Sequence, residues 1–210
     1  MLCFAWSIGI NITTAILFAA PREAGGYGFS YYGVGYLYFS PIVGVCLGEI
    51  FGHFFNDYIA KRYIKKHNGV FEPEARLTTI YISAIFMISG IVLLGQALYH
   101  HLSVGAVAMG WGMHSFGIMT MSVAVSAYVV DCYPLAAAEV SGWTNFARAI
   151  GGFTVGYFQQ PWGGLIGYDS SFGAQAGITA FAVIVVAIVH GYGHLLRLKA
   201  DAFDHKHDRS

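Results

Sequence analysis

His114 sits near the middle of a long, glycine-rich apolar run, Gly110-Trp-Gly-Met-His114-Ser-Phe-Gly117. A histidine there can hold a solute or carry a proton, because its ordinary pKa lies in the working range. The plainer alternative is a neutral imidazole hydrogen-bonded between helices. Asn11, Thr14 and Asn145 are further polar groups set in apolar surroundings, and each is a candidate to face a solute. Asn11-Ile-Thr13 also spells a glycosylation sequon, a use that a position within a bilayer would deny it. Glu49 and Arg148 carry charge inside apolar runs, where a charge at the bilayer centre costs roughly 2.5–3.5 kcal/mol. Such groups need a partner or a task.

Other reactive residues point to no chemistry. The pairs His100–His101 and His205/His207 have no carboxylate or cysteine at ligand spacing, so no metal is expected. Cys3, Cys46 and Cys132 are scattered and form no CxxC, which suits small apolar packing. No serine-hydrolase elbow, HExxH, phosphate-binding loop or dinucleotide fingerprint occurs. Neither a cofactor nor an enzymatic activity is expected. An intramembrane enzyme would need paired carboxylates or several histidines at one depth, and His114 stands alone.

The elements that position these residues follow from composition. Of 210 residues, 56% are apolar and only 10% charged, less than half the charge a water-soluble domain carries. The 27 glycines and 34 aromatics suit helices packed closely in lipid, with aromatic belts at its surfaces. A formal net charge of zero gives no nucleic-acid footprint. Stretches of about 20 apolar residues, enough to cross a bilayer, fall near Leu2–Ala20, Gly33–Phe55, Leu77–Leu98, Val104–Val130, Gly142–Gln160 and Ala174–Leu196. The first has no basic segment before it and polar residues in its middle, which argues against a cleaved signal. The expected fold is an all-α six-helix membrane bundle over 1–198, with a polar, frayed cytoplasmic tail over 199–210. Pro161–Ser171 is expected as an outer turn, and the aromatic residues Tyr27 to Tyr38 as an interfacial belt.

Basic residues orient the bundle. Lys61, Arg62, Lys65, Lys66 and Arg76 follow the second span, and Arg197, Lys199, Lys206 and Arg209 follow the sixth. Only Arg22 lies on the other side, so both termini are expected in the cytoplasm.

The segment Gly52-His-Phe-Phe-Asn-Asp57-Tyr-Ile-Ala-Lys61-Arg62 falls where the second span leaves the bilayer. Gly52 permits close helix approach, Asp57 can attract the positive end of a neighbouring helix, and Lys61 and Arg62 can meet headgroups or carboxylates. This pattern resembles the loop motif of the major facilitator superfamily. The continuation through Asn68-Gly69 and Pro73-Glu-Ala-Arg76-Leu is similar to the second-half loop of fungal drug:proton antiporters. So are Tyr128-Val-Val-Asp131-Cys-Tyr-Pro134, ending at Glu139, and Asn145-Phe-Ala-Arg148-Ala-Ile-Gly151-Gly.

The resemblance implies that the six helices match spans seven to twelve of a twelve-helix secondary transporter in a fungal plasma membrane. It implies proton-coupled movement of small organic solutes, cations or drugs, with a second bundle, the N-terminal half or another copy, completing the site. A half-transporter that dimerises and a non-transporting remnant are the alternatives. Glu49, Asp57, Asp131, Glu139 and Arg148 are expected to form a cytoplasmic gating network, or else a static set of ion pairs. His114, Asn11, Thr14 and Asn145 are expected toward the cavity.

Overall fold

The computed structural model describes residues 2–21 and 26–207, and helix dominates it. The helices are α1 (Leu2–Ala19), the short α2 (Tyr31–Leu37), α3 (Phe39–Lys66), α4 (Thr79–Tyr99), α5 (Val104–Cys132), α6 (Ala137–Ile166) and α7 (Tyr168–His207). No strand occurs among the described residues. The chain is an all-α membrane protein. Four stretches are long and apolar enough to cross a bilayer: Tyr31–Lys66, Pro73–Tyr99, Val104–Cys132 and Tyr168–Tyr192. α1 is apolar but short, and α6 is long but interrupted by Glu139, Asn145, Arg148 and Gln159.

Side-chain contacts fix the helix directions. α3 and α5 run parallel: Gly44 meets Gly112, Gly48 meets Phe116, and Gly52 meets Thr120. α1 and α6 are also parallel, with Phe4 beneath Arg148, Ile8 against Gly152 and Ile12 against Gly156. α4 opposes α5, since Gly90 meets His114 while Gly117 meets Met87. α7 opposes α4, with Phe172 against Gly95 and His190 against Tyr81. Thus α1, α4 and α6 point one way, and α3, α5 and α7 the other.

Small residues make these contacts close. One face of α3 buries Pro41, Gly44, Gly48, Gly52, Asn56 and Ala60, a repeat of three then four residues that follows one helical face. A Cβ on Gly48 would lie 2.6 Å from the Phe116 carbonyl oxygen, and one on Gly90 would lie 2.5 Å from the His114 backbone nitrogen. The hydroxyls of Ser40 and Thr120 bond across the seam to the Ala108 and Gly48 carbonyls. Gly105, by contrast, sits in open space and makes no interhelical contact.

Four sequence expectations change. Gly52–Arg62 is not a turn but continuous helix, because α3 runs on to Lys66. The turn comes at Asn68 and Gly69, both left-handed, where the Gly69 N–H closes the helix on the Ile64 carbonyl at 3.0 Å. Pro161–Ser171 is no loop: α6 passes through Pro161, and the chain reverses at Gly167, φ 88°. The proline costs one backbone bond, which neighbouring helices can offset in lipid. Residues 199–207 continue α7 instead of fraying, since no glycine or proline interrupts them. The aromatic group also divides. Tyr31, Tyr32 and Tyr36 are exposed as an interfacial belt requires, whereas Tyr27 and Phe29 pack on Phe18, and Tyr38 meets Trp111 edge-on. Burial pushes the Tyr27 phenol upward, and its hydroxyl donates to the Ala97 carbonyl at 3.1 Å.

The seam predicts a contrast among glycines. Gly48→Ala and Gly90→Ala drive a methyl into rigid backbone and should each lower stability by about 1–3 kcal/mol. Gly177, with nothing within 4 Å, should gain slightly on the same change. Thermal unfolding in detergent reads the difference.

Candidate functional site

The charged residues gather at the end where α3 and α5 finish and α4 begins. Lys65 and Lys66 lie in the last turn of α3, where cations suit the negative end of the helix dipole. The turn Pro73–Thr78 then tucks inward, burying Pro73, Ala75 and Leu77. This holds Arg76 between two helices: its Nε lies 2.5 Å from an Asp131 carboxylate oxygen and its Nη1 3.6 Å from Asp57. Phe71 closes one face of the guanidinium, 5.6 Å from the ring centroid. Asp57 and Asp131 are thereby joined through Arg76, which links the ends of α3 and α5 to the start of α4.

Sequence reading picked out both aspartates but not the arginine between them. The run Pro73-Glu-Ala-Arg76-Leu was the available signal. Glu49, Lys61, Arg62 and Glu139 are exposed and do not join this cluster. Arg62 instead donates to the Tyr58 hydroxyl at 3.1 Å. Arg148 also stands apart, with its guanidinium over the Phe4 ring at 4.4 Å.

The cavity candidates scatter. His114 is fully buried between three helices. Its Nδ1 faces the Met87 carbonyl of α4 at 3.4 Å, and its Nε2 faces the Ser7 hydroxyl of α1 at 3.0 Å. A carbonyl only accepts, so Nδ1 carries the proton and Nε2 accepts from Ser7. That arrangement is the interhelical linker the sequence left open as an alternative. Asn11 donates to the Ser7 carbonyl at 2.8 Å, so it buttresses the same junction from one turn away. Thr14 is buried with its hydroxyl unpaired among the described residues. Asn145 lies elsewhere, on an exposed face of α6 beside Arg148.

Thr14 has companions that sequence reading passed over. Gln159 of α6 and Gln175 and Thr179 of α7 are at most 1% exposed, and each keeps at least one polar atom unpaired among the described residues. Gln159 packs on Gly9 of α1. α6 and α7 fold back on each other at Gly167, which sets Gln159 level with Gln175. These side chains add polar groups to the buried contact of α1, α6 and α7. An open groove of about 610 Å³ is apolar and lies between α3 and α5, lined by Val43, Leu47, Met109, Met113 and Phe116.

The geometry ranks the two ion pairs. The Asp131 side chain is 26% exposed and close to Arg76, whereas Asp57 is 48% exposed and farther. Double-mutant cycles should give Arg76–Asp131 a coupling of about 1–3 kcal/mol. Arg76–Asp57 should stay below about 1 kcal/mol, as exposed pairs do. Equal couplings would mean that the two carboxylates share the cation evenly.

Comparison with known proteins shows what the chain is similar to. No family model and no solved structure matches the chain. Curated fungal transporters do. The efflux pump radE of Floropilus chiversii is 26% identical over 81% of this chain. Dityrosine transporter 1 of Saccharomyces cerevisiae is 28% identical over 67%, and the MFS antiporter QDR3 of Candida albicans 26% identical over 85%. The matched stretches cover 32%, 26% and 26% of those proteins. The chain thus spans about a quarter to a third of the length of its relatives. With its helical membrane bundle, this chain is similar to fungal transporters and efflux pumps of the major facilitator type.

Proposed function

We propose that the chain forms the second six-helix bundle of a proton-coupled secondary transporter that moves small organic solutes, cations or drugs across the plasma membrane. The observation that carries this reading is the pattern of helix directions. Parallel pairing of α1 with α6 and of α3 with α5, each opposed by α4 or α7 where they touch, is what six successive crossings require. α1 and α6 then count as spans despite α1's length and α6's polarity, because they cover each other. The names of the relatives, efflux pumps and an antiporter, support export and ion coupling.

The charged end faces the cytoplasm in this reading, as the positive-inside rule demands, and both termini lie there. Arg76, held by Asp57 and Asp131, is the latch within the bundle. Exposed Lys61 and Glu139, near the charged end of their helices, are available to meet a second bundle there, with exposed Glu49 about three turns deeper on α3. Alternating access in this fold is the rocking of two bundles about a midplane site, so one bundle supplies half of it. The apolar α3–α5 groove supports a solute with a large nonpolar surface.

Two measurements test this. In a background where Cys3, Cys46 and Cys132 are replaced, Asn68→Cys should react with an impermeant maleimide only after cells are opened, and Gly164→Cys from outside. The reverse pattern overturns the orientation. In proteoliposomes, a relative carrying this chain as its second half should accumulate a lipophilic cation under a pH gradient and lose that activity to a protonophore. The chain alone should transport nothing, and uptake by it alone would refute the half-site.

A further inference from the structure

Arg148 pairs with no carboxylate among the described residues. Both ion pairs among the described residues belong to Arg76. Asp131, toward the same end of α5, is engaged there, and Glu139 lines a separate crevice with Trp143 and Phe146. Yet Arg148 is half-buried and lies eleven residues into α6, about 16 Å from its start. A guanidinium at that depth needs compensation beyond one aromatic ring.

What surrounds it is a set of donors. Ser141, Thr144, Asn145 and Arg148 fall at i, i+3, i+4 and i+7, one face of α6, and with Ser126 of α5 they line a small crevice. Helical side chains lean toward the N-terminus, so Arg148 points along this row toward the charged end. Thr144 spends its proton on the Val140 carbonyl at 2.9 Å. The side chains of Ser126, Ser141 and Asn145 are uncommitted among the described residues. Hydroxyls, an amide NH2 and a forked cation, with no acidic group, make an oxyanion receptor. The space is about 40 Å³. One water needs roughly 10–15 Å³ of such space, so the crevice suits one phosphate-sized group and not a whole organic solute.

We propose that the α5–α6 crevice binds a phosphate oxyanion, with Arg148 as the forked donor and Ser141 and Asn145 as its neutral supports. The phosphate can belong to a lipid headgroup entering from the leaflet at the charged end, or to a soluble phosphate. The chemistry at the crevice is the same.

The test uses the full chain in detergent, with binding read by native mass spectrometry and thermal shift. The probes are short-chain phosphatidic acid, phosphatidylcholine, and inorganic phosphate against chloride at equal ionic strength. Wild type should retain phosphatidic acid over phosphatidylcholine. Arg148→Gln should weaken retention by roughly tenfold or more, the scale of a lost charge-assisted bond. Asn145→Leu should weaken it several-fold, Arg148→Lys should keep part of it, and the exposed Lys66→Gln should change nothing. Response to the lipid alone assigns a headgroup, and response to inorganic phosphate as well assigns the bare anion. Equal retention by wild type, Arg148→Gln and Asn145→Leu overturns the site. If Arg148→Gln does not fold, Asn145→Leu decides.

Discussion

In lipid, apolar surface gains nothing by leaving its solvent, so helices must associate through close van der Waals contact and interhelical polar bonds. The contact of α5 with α3 on one side and α4 on the other is where this molecule meets that constraint. Gly44, Gly48 and Gly52 let α3 lie against backbone atoms of α5, and Gly90, Gly110 and Gly117 do the same between α5 and α4. At all of these but Gly52 a Cβ would come within 3.0 Å of backbone, and at Gly52 it would be tight at 3.3 Å. The three helices therefore behave as one slab, to which α7 is added along α4 and the α1–α6 pair along α5 and α7.

Close backbone approach also decides what the polar residues can do. His114 lies where Gly90 allows α4 within reach, so its imidazole is spent on joining α1, α4 and α5. A histidine whose two nitrogens both serve neighbouring helices is poorly placed to take up a solute, and it cannot gain a second proton while Ser7 donates to it. Thr14, Gln159, Gln175 and Thr179 are different: they are as buried as His114 but less completely paired. Unpaired buried polar groups thus lie on both sides of the bundle, with Asn56 on the glycine face of α3 and Thr14, Gln159, Gln175 and Thr179 in α1, α6 and α7.

Sequence disclosed much of this, for reasons that can be stated. Long apolar runs with little charge leave no soluble alternative, and α1, α4, α5 and the start of α3 fall close to the expected spans. Helix ends were less visible because glycine and proline carry weaker meaning in lipid. Pro161 and Gly163 look like punctuation, yet α6 continues through them, with Gly163 serving the Tyr168 ring. At the site, Asp57 and Asp131 were legible as charges at helix ends. Arg76 was hidden in a basic loop, where it counted with Lys61, Arg62, Lys65 and Lys66 as one more orienting charge. Gly44 and Gly48 escaped because their i, i+4 spacing shows its purpose only when the α5 backbone is placed against it.

Arg76 and Arg148 show how differently one group can be accommodated. Arg76 lies on a short turn that the chain folds inward, so two carboxylates from separate helices reach it and the charge becomes a joint between them. Arg148 rises from the middle of a helix whose neighbouring face offers only hydroxyls and an amide. Carboxylates would have been easy to place on that face, since Ser141 and Asn145 already point the right way. With neutral donors there instead, the local charge stays positive. A positive charge left open at membrane depth attracts an anion from outside the protein, whereas one closed by aspartates does not. These two arginines thus have opposite consequences, Arg76 stabilising the contact between the bundle's own helices and Arg148 leaving a place for something the bundle does not itself supply.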